Sequence, residues 1–284
     1  MIKLDYIKSS VSRELECDIG EGDITSLSVL PPGCEASGKI IAKRDGIICG
    51  LGFAQVAFQL VDDSTNFKPL RSDGDKVFEG DTIAEISGNA VSVLSAERTA
   101  LNFLGHLSGI ATNTGEIVEK IANYRTKILD TRKTTPGLRL AEKYAVKCGG
   151  GQNHRFGLYD MILVKDNHIA AAGGIENTLR KLYDSQKPNV PVEIEVTNFE
   201  QLEIALGYPL DRIMLDNFHP DDVVRAIDMR NKSGAKIPFE CSGNITSENV
   251  VEYAETGVEF ISIGAITHSA KQLDLSLDIE IKKY

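Results

Sequence analysis

Short β-like runs broken by Gly and Asp fill the chain from about residue 36 to residue 93. The runs are rich in Ile, Val and Ala and end at residues that favour turns, which is typical of short strands. We therefore predict a small, sheet-rich domain in this part of the chain. Its strands are expected at residues 38–42, 46–50, 81–86 and 90–93.

A helical pattern follows over residues 95–112. The apolar residues recur there at spacings of three and four, so they form one face of a helix. We expect this helix to link the two halves of the chain. Its apolar face comprises Ala100, Leu101, Leu104, Leu107 and Ala111.

The second half of the chain alternates short strands with helical stretches. About six β-α units in a row indicate a parallel, barrel-like sheet wrapped in helices. A complete barrel of this kind has eight strands, so we predict an α/β fold with an incomplete, about six-stranded barrel. The strands are expected at residues 127–129, 161–164, 192–196, 212–215, 237–240 and 260–263.

Polar residues stand at or just past the carboxyl end of each predicted strand of the second half. In parallel barrels the loops at that end converge on one mouth, where active sites are built. The strands therefore direct their polar groups to one place. These groups are residues 130–133, residues 165–168, Glu195, Asp216 with Asn217, residues 242–244, and Gly264 with Ala265.

The stretch from Arg132 to Lys165 reverses the charge of an otherwise acidic chain. Seven cationic residues and His154 lie there, against only Glu142 and Asp160. A solvated face is the usual explanation of such a run. Arg and Lys are also what a ligand rich in carboxylates and phosphates needs, and we favour a strongly anionic ligand. The cationic residues are Arg132, Lys133, Arg139, Lys143, Lys147, Arg155 and Lys165.

Glu195 and Asp216 each end a strand that is otherwise apolar. A buried, unpaired carboxylate is costly, so each needs a cation, a metal or a sugar hydroxyl. One interpretation is a pair of structural ion pairs with the cationic residues. The other is a magnesium site, since this ion prefers one or two carboxylates together with phosphate oxygens.

A phosphate site is the second hypothesis for the barrel mouth. Residues 242–244 and the pair Gly264 and Ala265 follow the last two strands, where barrels often hold phosphate on backbone N–H groups. Isolated glycine turns are the alternative.

The composition excludes several classes of protein. The formal net charge of −10 gives no basic footprint for nucleic acid or an anionic membrane. The five cysteines are widely spaced and lack a C-x-x-C pair, so they indicate neither a disulfide framework nor a zinc site. No apolar run approaches the roughly 20 residues that span a bilayer. We expect a cytoplasmic protein in a reducing compartment, with no nucleic-acid or membrane partner.

Three further features receive ordinary explanations. Residues 46–52 are rich in glycine but lack the G-x-G-x-x-G order of a dinucleotide site, so turns are expected there. Cys148 lies among basic residues, yet the sequence supplies no ordered base, and we expect a buried, unreactive thiol. His106 is expected to be a packing or surface residue.

Three runs carry a resemblance to a known family, namely residues 130–139 (DTRKTTPGLR), 149–155 (GGGQNHR) and 164–168 (VKDNH). Together with further matches they resemble the quinolinate phosphoribosyltransferase family, in the same order from Gly20 nearly to the C-terminus. The further matches lie at residues 97–102, 193–196, 215–217, 240–245 and 264–269.

The resemblance implies a fold and an activity. The fold would be an N-terminal α/β sandwich domain over residues 1–111, an incomplete α/β barrel over residues 112–268, and a C-terminal segment, 269–284, that returns to the first domain. The activity would join quinolinate to phosphoribosyl pyrophosphate (PRPP), giving nicotinate mononucleotide, pyrophosphate and carbon dioxide in NAD biosynthesis. The resemblance also implies Mg²⁺ as cofactor and a homodimer or a higher assembly of dimers.

The resemblance further assigns roles to residues of the predicted mouth. The catalytic residues would be Lys133, Glu195 and Asp216, of which Glu195 and Asp216 would also meet the metal. Quinolinate would be bound by Arg98 from the neighbouring subunit and by Arg132, Lys133, His154, Arg155 and Lys165. PRPP would be bound by Lys133, Lys165, Glu195, Asp216, Ser242, Gly243, Asn244, Gly264, Ala265 and His268.

Two other interpretations are weighed against this one. A paralogous phosphoribosyltransferase-like protein of the molybdenum transport type has a similar pattern, although the run over residues 165–168 favours the quinolinate family. A biotinyl or lipoyl carrier module is more distant, because residues 80–86 resemble part of such a sheet. A carrier needs a modifiable Lys at an exposed hairpin tip, and residues 87–89 contain none.

Overall fold

The computed structural model describes residues 2–184 and 189–281 of the chain. The helices are α1 Leu4–Ile19, α2 Ile24–Val29, α3 Leu51–Val61, α4 Ala90–Lys120, α5 Arg139–Cys148, α6 Asp166–Ala172, α7 Ile175–Asp184, α8 Phe199–Ala205, α9 Pro220–Ser233, α10 Val250–Glu255 and α11 Ala265–His268. The strands are β1 Glu35–Ala42, β2 Gly46–Ile47, β3 Asn66–Pro69, β4 Lys76–Val77, β5 Thr82–Asn89, β6 Lys127–Leu129, β7 Ile162–Val164, β8 Val192–Val196, β9 Arg212–Asp216, β10 Phe239–Ser242, β11 Phe260–Ser262 and β12 Leu275–Ile281. Within these residues, no helix combines the length and the apolar character needed to cross a membrane.

The chain divides into two compact units. The first takes in residues up to Gly115, residues 134–150 and residues from Ile266 onward, and the second takes in residues 116–133 and 151–265. From the sequence, residues 134–150 are expected in the barrel. They group with the first unit because α5 packs closely on α4, where a Cβ on Gly149 would lie only 2.7 Å from the Thr114 side chain.

The first unit is built on an antiparallel sheet with the order β12-β1-β5-β3. Strand β12, near the end of the chain, pairs with β1 along its whole length, from Ala36 opposite Ile281 to Ala42 opposite Leu275. Helix α3 packs its apolar side on this sheet, because the Phe58 ring stacks on Phe67 of β3 with the centroids 5.8 Å apart.

Helix α4 begins earlier and ends later than the sequence predicted. The predicted strand at residues 90–93 is wrong, since those residues form the first turn of this 31-residue helix. The reason is local: the Asn89 side chain accepts hydrogen bonds from the backbone N–H groups of Val91 and Ser92, which caps the helix. Residues 87–89 end strand β5 and pair with β1, so the hairpin tip of a carrier module is not formed there.

The second unit contains a parallel sheet with the order β6-β11-β10-β9-β8-β7. In the part of the chain that the structure describes, β6 and β7 form its two edges, so the sheet is an incomplete barrel. The predicted fold class is therefore confirmed. Because these strands are parallel, their carboxyl ends share one edge of the sheet, as the strand-end residues predicted.

Successive side chains along each barrel strand point to opposite faces of the sheet. In β8, Ile194 is fully buried on one face, while Glu193 and Glu195 lie on the other. The same alternation continues along the sheet, so polar side chains line one face of three neighbouring strands. They are Glu193 and Glu195 in β8, Arg212 and Asp216 in β9, and Glu240 and Ser242 in β10.

Candidate active site

Lys165 and Glu195 form the central ion pair of the barrel mouth. The Lys165 ammonium nitrogen lies 2.6 Å from a carboxylate oxygen of Glu195, whose side chain is only 10% exposed. Lys165 directly follows β7, and its backbone N–H donates to the Nδ1 atom of His168 at 2.9 Å. This bond closes the first turn of α6, so the ammonium group projects from a fixed backbone position.

Asp216 ends β9, the strand beside β8. Burial raises the pKa of its carboxyl above the usual value, and the like charge of Glu195 raises it further. Two carboxylates whose charges repel each other favour a nearby cation, and their hard oxygen atoms suit Mg²⁺. The residues present therefore fit the magnesium ion that the family resemblance implies.

The turns after β9 and β10 lock together next to Asp216. The Asn244 side-chain amide donates to the Asn217 side-chain oxygen at 3.0 Å, and the Asn217 backbone N–H donates to the Ser242 carbonyl. Asn217 and Asn244 both have positive φ angles, of 57° and 53°. Between them, Gly243 has φ 94°, and a Cβ there would collide with the Asn217 side chain. This strained corner fixes Asp216 and Ser242 at the mouth.

Two guanidinium groups lie close together in the second unit. Burial lowers the pKa of Arg155, and the neighbouring positive charge of Arg132 lowers it further. Arg155 donates to the Met161 carbonyl at 3.2 Å, and its loop is shaped by Asp160, which accepts backbone N–H bonds from two residues that follow Arg155. A partly buried pair of like charges is stabilised by an anion, and carboxylates fit guanidinium groups best.

Asp130 anchors the segment that carries Arg155. This fully buried carboxylate follows β6 and accepts the backbone N–H of His154 at 2.8 Å and the Asn153 side-chain amide at 2.6 Å. Gln152 forms a parallel bridge to Leu129 of β6. Residues 152–155 therefore run beside the first barrel strand, and the Asp130 carboxylate together with this bridge places His154 and Arg155.

His154 faces a buried polar layer beneath the mouth. Its Nε2 atom lies 3.0 Å from Glu193 and 3.5 Å from Glu240, and both carboxylates are fully buried. Arg212 pairs with Glu240 at 2.6 Å and lies over the Phe260 ring at 4.1 Å from its centroid. The layer thus combines two carboxylates with an arginine and a histidine.

The hydrogen bonds define the tautomer of His154. The Arg155 backbone N–H donates to Nδ1 at 2.7 Å, so Nδ1 is an acceptor and the proton of a neutral ring sits on Nε2, facing the carboxylates. Both ring nitrogens are thereby engaged inside the protein. Burial raises the pKa of Glu193 to about 7 and that of Glu240 to about 7, with mutual repulsion adding to the effect on Glu240.

The sequence analysis gave no individual role to Asp130, Glu193, Arg212 or Glu240. A signal was present, because Glu193 and Glu240 interrupt apolar strands and should be costly unless paired. Glu193 and Glu195 also share one strand face, which an alternation of two predicts. The order of the strands in the sheet cannot be read from the sequence. In that order β9, which carries Arg212, lies between β8 with Glu193 and β10 with Glu240.

The remaining predicted residues lie in both units. In the second unit, Lys133 is exposed in the loop after β6, and Gly264 and Ala265 are partly buried after β11. In the first unit, Arg98 is exposed on α4, and His268 is exposed at the end of α11. His106 is not merely a packing residue, since its Nε2 atom lies 2.9 Å from the fully buried Glu142 carboxylate.

The second unit presents both kinds of charge. The guanidinium groups of Arg132 and Arg155 are suited to carboxylates, whereas the carboxylates of Glu195 and Asp216 are suited to a cation or a developing positive charge. Lys165 acts on both carboxylates, because it pairs with Glu195 and its charge lowers the pKa of Asp216. Such a site favours a reaction between two anionic substrates through a cationic centre.

Known proteins are similar to this chain along nearly all of its length. A probable carboxylating nicotinate-nucleotide pyrophosphorylase of Bacillus subtilis is 45% identical over 265 residues, which cover 93% of this chain and 90% of that protein. A protein of the same description from Methanocaldococcus jannaschii is 42% identical over 281 residues, which cover 97% and 98%. The solved structure of the nicotinate-nucleotide pyrophosphorylase from Francisella tularensis matches with a TM-score of 0.92 at 43% identity, covering 99% of this chain and 98% of that one.

Two family models account for most of the sequence. The model described as quinolinate phosphoribosyl transferase, N-terminal domain, matches residues 23–108, and the model described as quinolinate phosphoribosyl transferase, C-terminal domain, matches residues 110–278. Since both domains are matched in order and relatives align along almost the whole chain, the protein belongs to the quinolinate phosphoribosyltransferase family.

Proposed function

We propose that this protein transfers the phosphoribosyl group of PRPP to quinolinate and releases pyrophosphate and carbon dioxide, giving nicotinate mononucleotide for NAD biosynthesis. The single observation that carries the proposal is that the second unit holds both the Arg132 and Arg155 pair and the Lys165–Glu195 ion pair. Membership of the family supports the same substrates. We place the reaction in the cytoplasm.

Quinolinate binds through its two carboxylates. Arg132 and Arg155 hold them by paired charge-assisted hydrogen bonds, and Lys133 and Lys165 add positive charge at the edge of the ring. His154 contributes by holding Arg155, because both of its ring nitrogens are already engaged. The site therefore recognises a dicarboxylate better than a monocarboxylate.

PRPP binds at the neighbouring strand ends. Glu195 and Asp216 meet the ribose, and the turns after β10 and β11 meet its phosphate groups. Glu195 and Asp216 would also hold magnesium, which would neutralise charge on the pyrophosphate group when bound. The PRPP contacts that follow these two carboxylates are Ser242, Gly243, Asn244, Gly264, Ala265 and His268.

The chemistry follows from the charges of the residues. As pyrophosphate leaves, positive charge develops at the anomeric carbon, and the carboxylates of Glu195 and Asp216 stabilise it. Lys133 and Lys165 balance the departing negative charge. Arg132 and Arg155 orient the ring nitrogen toward that carbon, which replaces much of the entropic cost of a bimolecular encounter. When the adjacent carboxylate leaves as carbon dioxide, the bonding electron pair stays on the ring carbon beside the positively charged pyridinium nitrogen. A proton from water then replaces the carboxylate at that carbon.

Arg98 completes the quinolinate site from a second copy of the chain. This arginine is exposed on α4, in the first unit, far in sequence from the other proposed quinolinate ligands. We therefore propose a homodimer, or an assembly of such dimers, with two shared sites.

The direct test is to incubate the protein with quinolinate, PRPP and Mg²⁺ and to measure nicotinate mononucleotide. Nicotinate in place of quinolinate should lower kcat/KM by roughly 10⁴ or more, because it leaves site cations unpaired. Excess chelator should abolish turnover. Comparable turnover of nicotinate contradicts the proposed substrate, and activity that survives the chelator removes magnesium from the mechanism.

A matched pair of variants locates the dicarboxylate site. Arg132→Met should raise KM for quinolinate at least about 100-fold while KM for PRPP changes little. Arg180→Met removes an exposed arginine of α7 and should leave both constants unchanged. Equal effects of Arg132→Met on the two substrates contradict its assignment to quinolinate.

A further inference from the structure

Two cysteines lie in side-chain contact in the first unit, where the proposed reaction gives them no role. Cys49 lies just before α3 and is buried, and Cys148 is the last residue of α5 and is partly exposed. Their thiol groups are hydrogen-bonded to each other. The expectation that Cys148 is a buried, unreactive thiol is thus wrong in its first part.

The backbone geometry explains why the thiols meet. The Cys49 backbone N–H donates to the Ser108 hydroxyl at 2.9 Å, and the same hydroxyl donates to the Cys49 carbonyl at 3.1 Å. Gly149, next to Cys148, packs so closely on the Ala111 carbonyl that it has no room for a Cβ. Ser108 and Ala111 are three residues apart and thus share one face of α4. Both cysteines are therefore fixed on one rigid helix face.

The loop around Cys49 is held on its other side as well. The Ile48 carbonyl accepts the Gly74 N–H at 2.7 Å, and the Ile48 N–H donates to the Asp75 carbonyl at 3.0 Å. Asp73 accepts the backbone N–H groups of Gly50 and Leu51, which start α3. Cys49 thus lies between two anchored segments and cannot move away from Cys148 without breaking them.

The surroundings lower the pKa of the Cys148 thiol and raise the pKa of the Cys49 thiol. The hydrogen bond from Cys49 lowers the pKa of Cys148, and the Tyr144 hydroxyl lowers it too, although burial and the Asp73 carboxylate oppose them. Tyr144 lies one turn before Cys148, and its hydroxyl donates to the Asp73 carboxylate at 3.1 Å. The pKa of Cys49 is raised by its bond to Cys148 and by burial. Cys148 is therefore the nucleophile of the pair, and it is also the more accessible one.

We propose that Cys49 and Cys148 form a peroxide-reactive dithiol site, in which hydrogen peroxide oxidises Cys148 and Cys49 then closes a disulfide. The Cys148 thiolate attacks one peroxide oxygen, the O–O bond breaks, and Cys148 becomes a sulfenic acid while hydroxide leaves. The Cys49 sulfur next attacks the Cys148 sulfur, the S–O bond breaks, and the Cys49 proton leaves with the second hydroxide as water. Two thiols and one peroxide give one disulfide and two waters, with two electrons passing to the peroxide.

Another cysteine of the chain could react with peroxide first. Cys17 is exposed on α1, whereas Cys34 and Cys241 are buried. Exposure alone predicts that peroxide reacts first at Cys17. The proposed site predicts the opposite order, with Cys148 oxidised about tenfold faster than Cys17, because the thiolate and not the thiol is the nucleophile.

The wild-type protein, in its native assembly, tests this order. It is treated with hydrogen peroxide below one equivalent, the remaining thiols are alkylated, and peptides are mapped by mass spectrometry without reduction. We expect a cross-linked pair of peptides containing Cys49 and Cys148, lighter by two hydrogen atoms than the reduced pair. Oxidation at Cys17 with Cys148 still alkylated would overturn the proposal.

Four variants separate the two steps. Cys49→Ser should accumulate a sulfenic acid on Cys148 that dimedone traps, whereas Cys148→Ser should leave Cys49 untrapped. Tyr144→Phe should slow the trapping, since it removes the hydroxyl that lowers the pKa of Cys148. Cys17→Ser is the matched control and should form the disulfide at the wild-type rate. Trapping at Cys49 in the Cys148→Ser variant reverses the proposed roles and contradicts the assignment. If a variant does not fold, the wild-type map still decides.

Discussion

Asn217 orients the carboxylate of the preceding residue, Asp216, at the end of β9. The Asn217 side-chain amide donates to the Asp216 carboxylate at 2.7 Å, while the Asn217 backbone, with φ 57°, turns the chain away from the strand. The carboxylate is thus oriented by the residue that directly follows its strand. A carboxylate held in this way is suited to electrostatic stabilisation, because it need not reorganise during the reaction.

Replacing the charge of Asp216 should slow the chemical step. Asp216→Asn keeps the shape of the side chain, so we expect kcat to fall by about 10² to 10³ with the melting temperature unchanged within a few degrees. Steady-state kinetics and thermal unfolding measure the two quantities. Asp228→Asn, at an exposed position on α9, is the control and should leave kcat unchanged. Normal turnover of Asp216→Asn would contradict a catalytic role of this carboxylate and leave it a structural one.

Adding a methyl group at Gly243 should disturb the corner beside Asp216. Gly243 has φ 94° and a Cβ there would collide with the Asn217 side chain. We expect Gly243→Ala to reduce the free energy of unfolding by about 1–3 kcal/mol and to lower kcat as well. Gly80→Ala is the matched control, because Gly80 has φ 89° with nothing near its Cβ position and so imposes strain without collision. Equal losses of stability and activity in both variants would show that the collision has no separate effect.

The stability of the protein should depend on pH through the buried glutamates. The pKa of Glu193 and that of Glu240 are about 7 in the folded chain, above the ordinary value of 4.5, so the folded state binds more protons than the unfolded state between these values. Their contribution to stability is therefore fully present near pH 4.5 and is lost as the pH rises to about 7. Thermal unfolding from pH 5 to pH 8 measures this trend.

Glu240→Gln should flatten that pH profile. The amide keeps the size of the side chain but carries no proton that titrates, and it leaves Glu193 without a like charge beside it. The difference in melting temperature between wild type and variant should change across pH 5 to 7 and stay constant above it. An identical pH profile for the two proteins contradicts the role given to the Glu193 and Glu240 pair.

The shared-site proposal can be tested by mixing two inactive variants. Arg98→Ala and Lys133→Ala lie in different parts of the proposed site, so a mixed dimer has one site with both lesions and one intact site. Half of the dimers are mixed after random exchange, and half of their sites are intact, so roughly one quarter of the wild-type activity should return. The variants are unfolded and refolded together, exchange is verified by mass spectrometry, and nicotinate mononucleotide is assayed. Continued inactivity after exchange places Arg98 in its own chain's site or in none.

The sequence predicted the barrel strands well because each is short, apolar and followed by polar residues. The order of the strands in the sheet could not be predicted from the sequence. The contacts of Arg212 could not be predicted either, because they depend on which strands are neighbours. The error at residues 90–93 has a local cause, since one hydrogen-bonding side chain, Asn89, outweighs the β propensity of Val91 and Val93. Strand-end residues such as Glu195 and Asp216 could be found by position alone.

The parallel bridge between Leu129 and Gln152 has a consequence for solubility. Strand β6 is an edge of the sheet, and the backbone groups of an unprotected edge strand invite pairing with another molecule. Gln152 donates its N–H to the Ile128 carbonyl and accepts the Asp130 N–H, so this segment occupies part of that edge. The residues that place His154 and Arg155 therefore also shield β6 from edge-to-edge aggregation, and a substitution that loosens them should cause precipitation as well as weaker quinolinate binding.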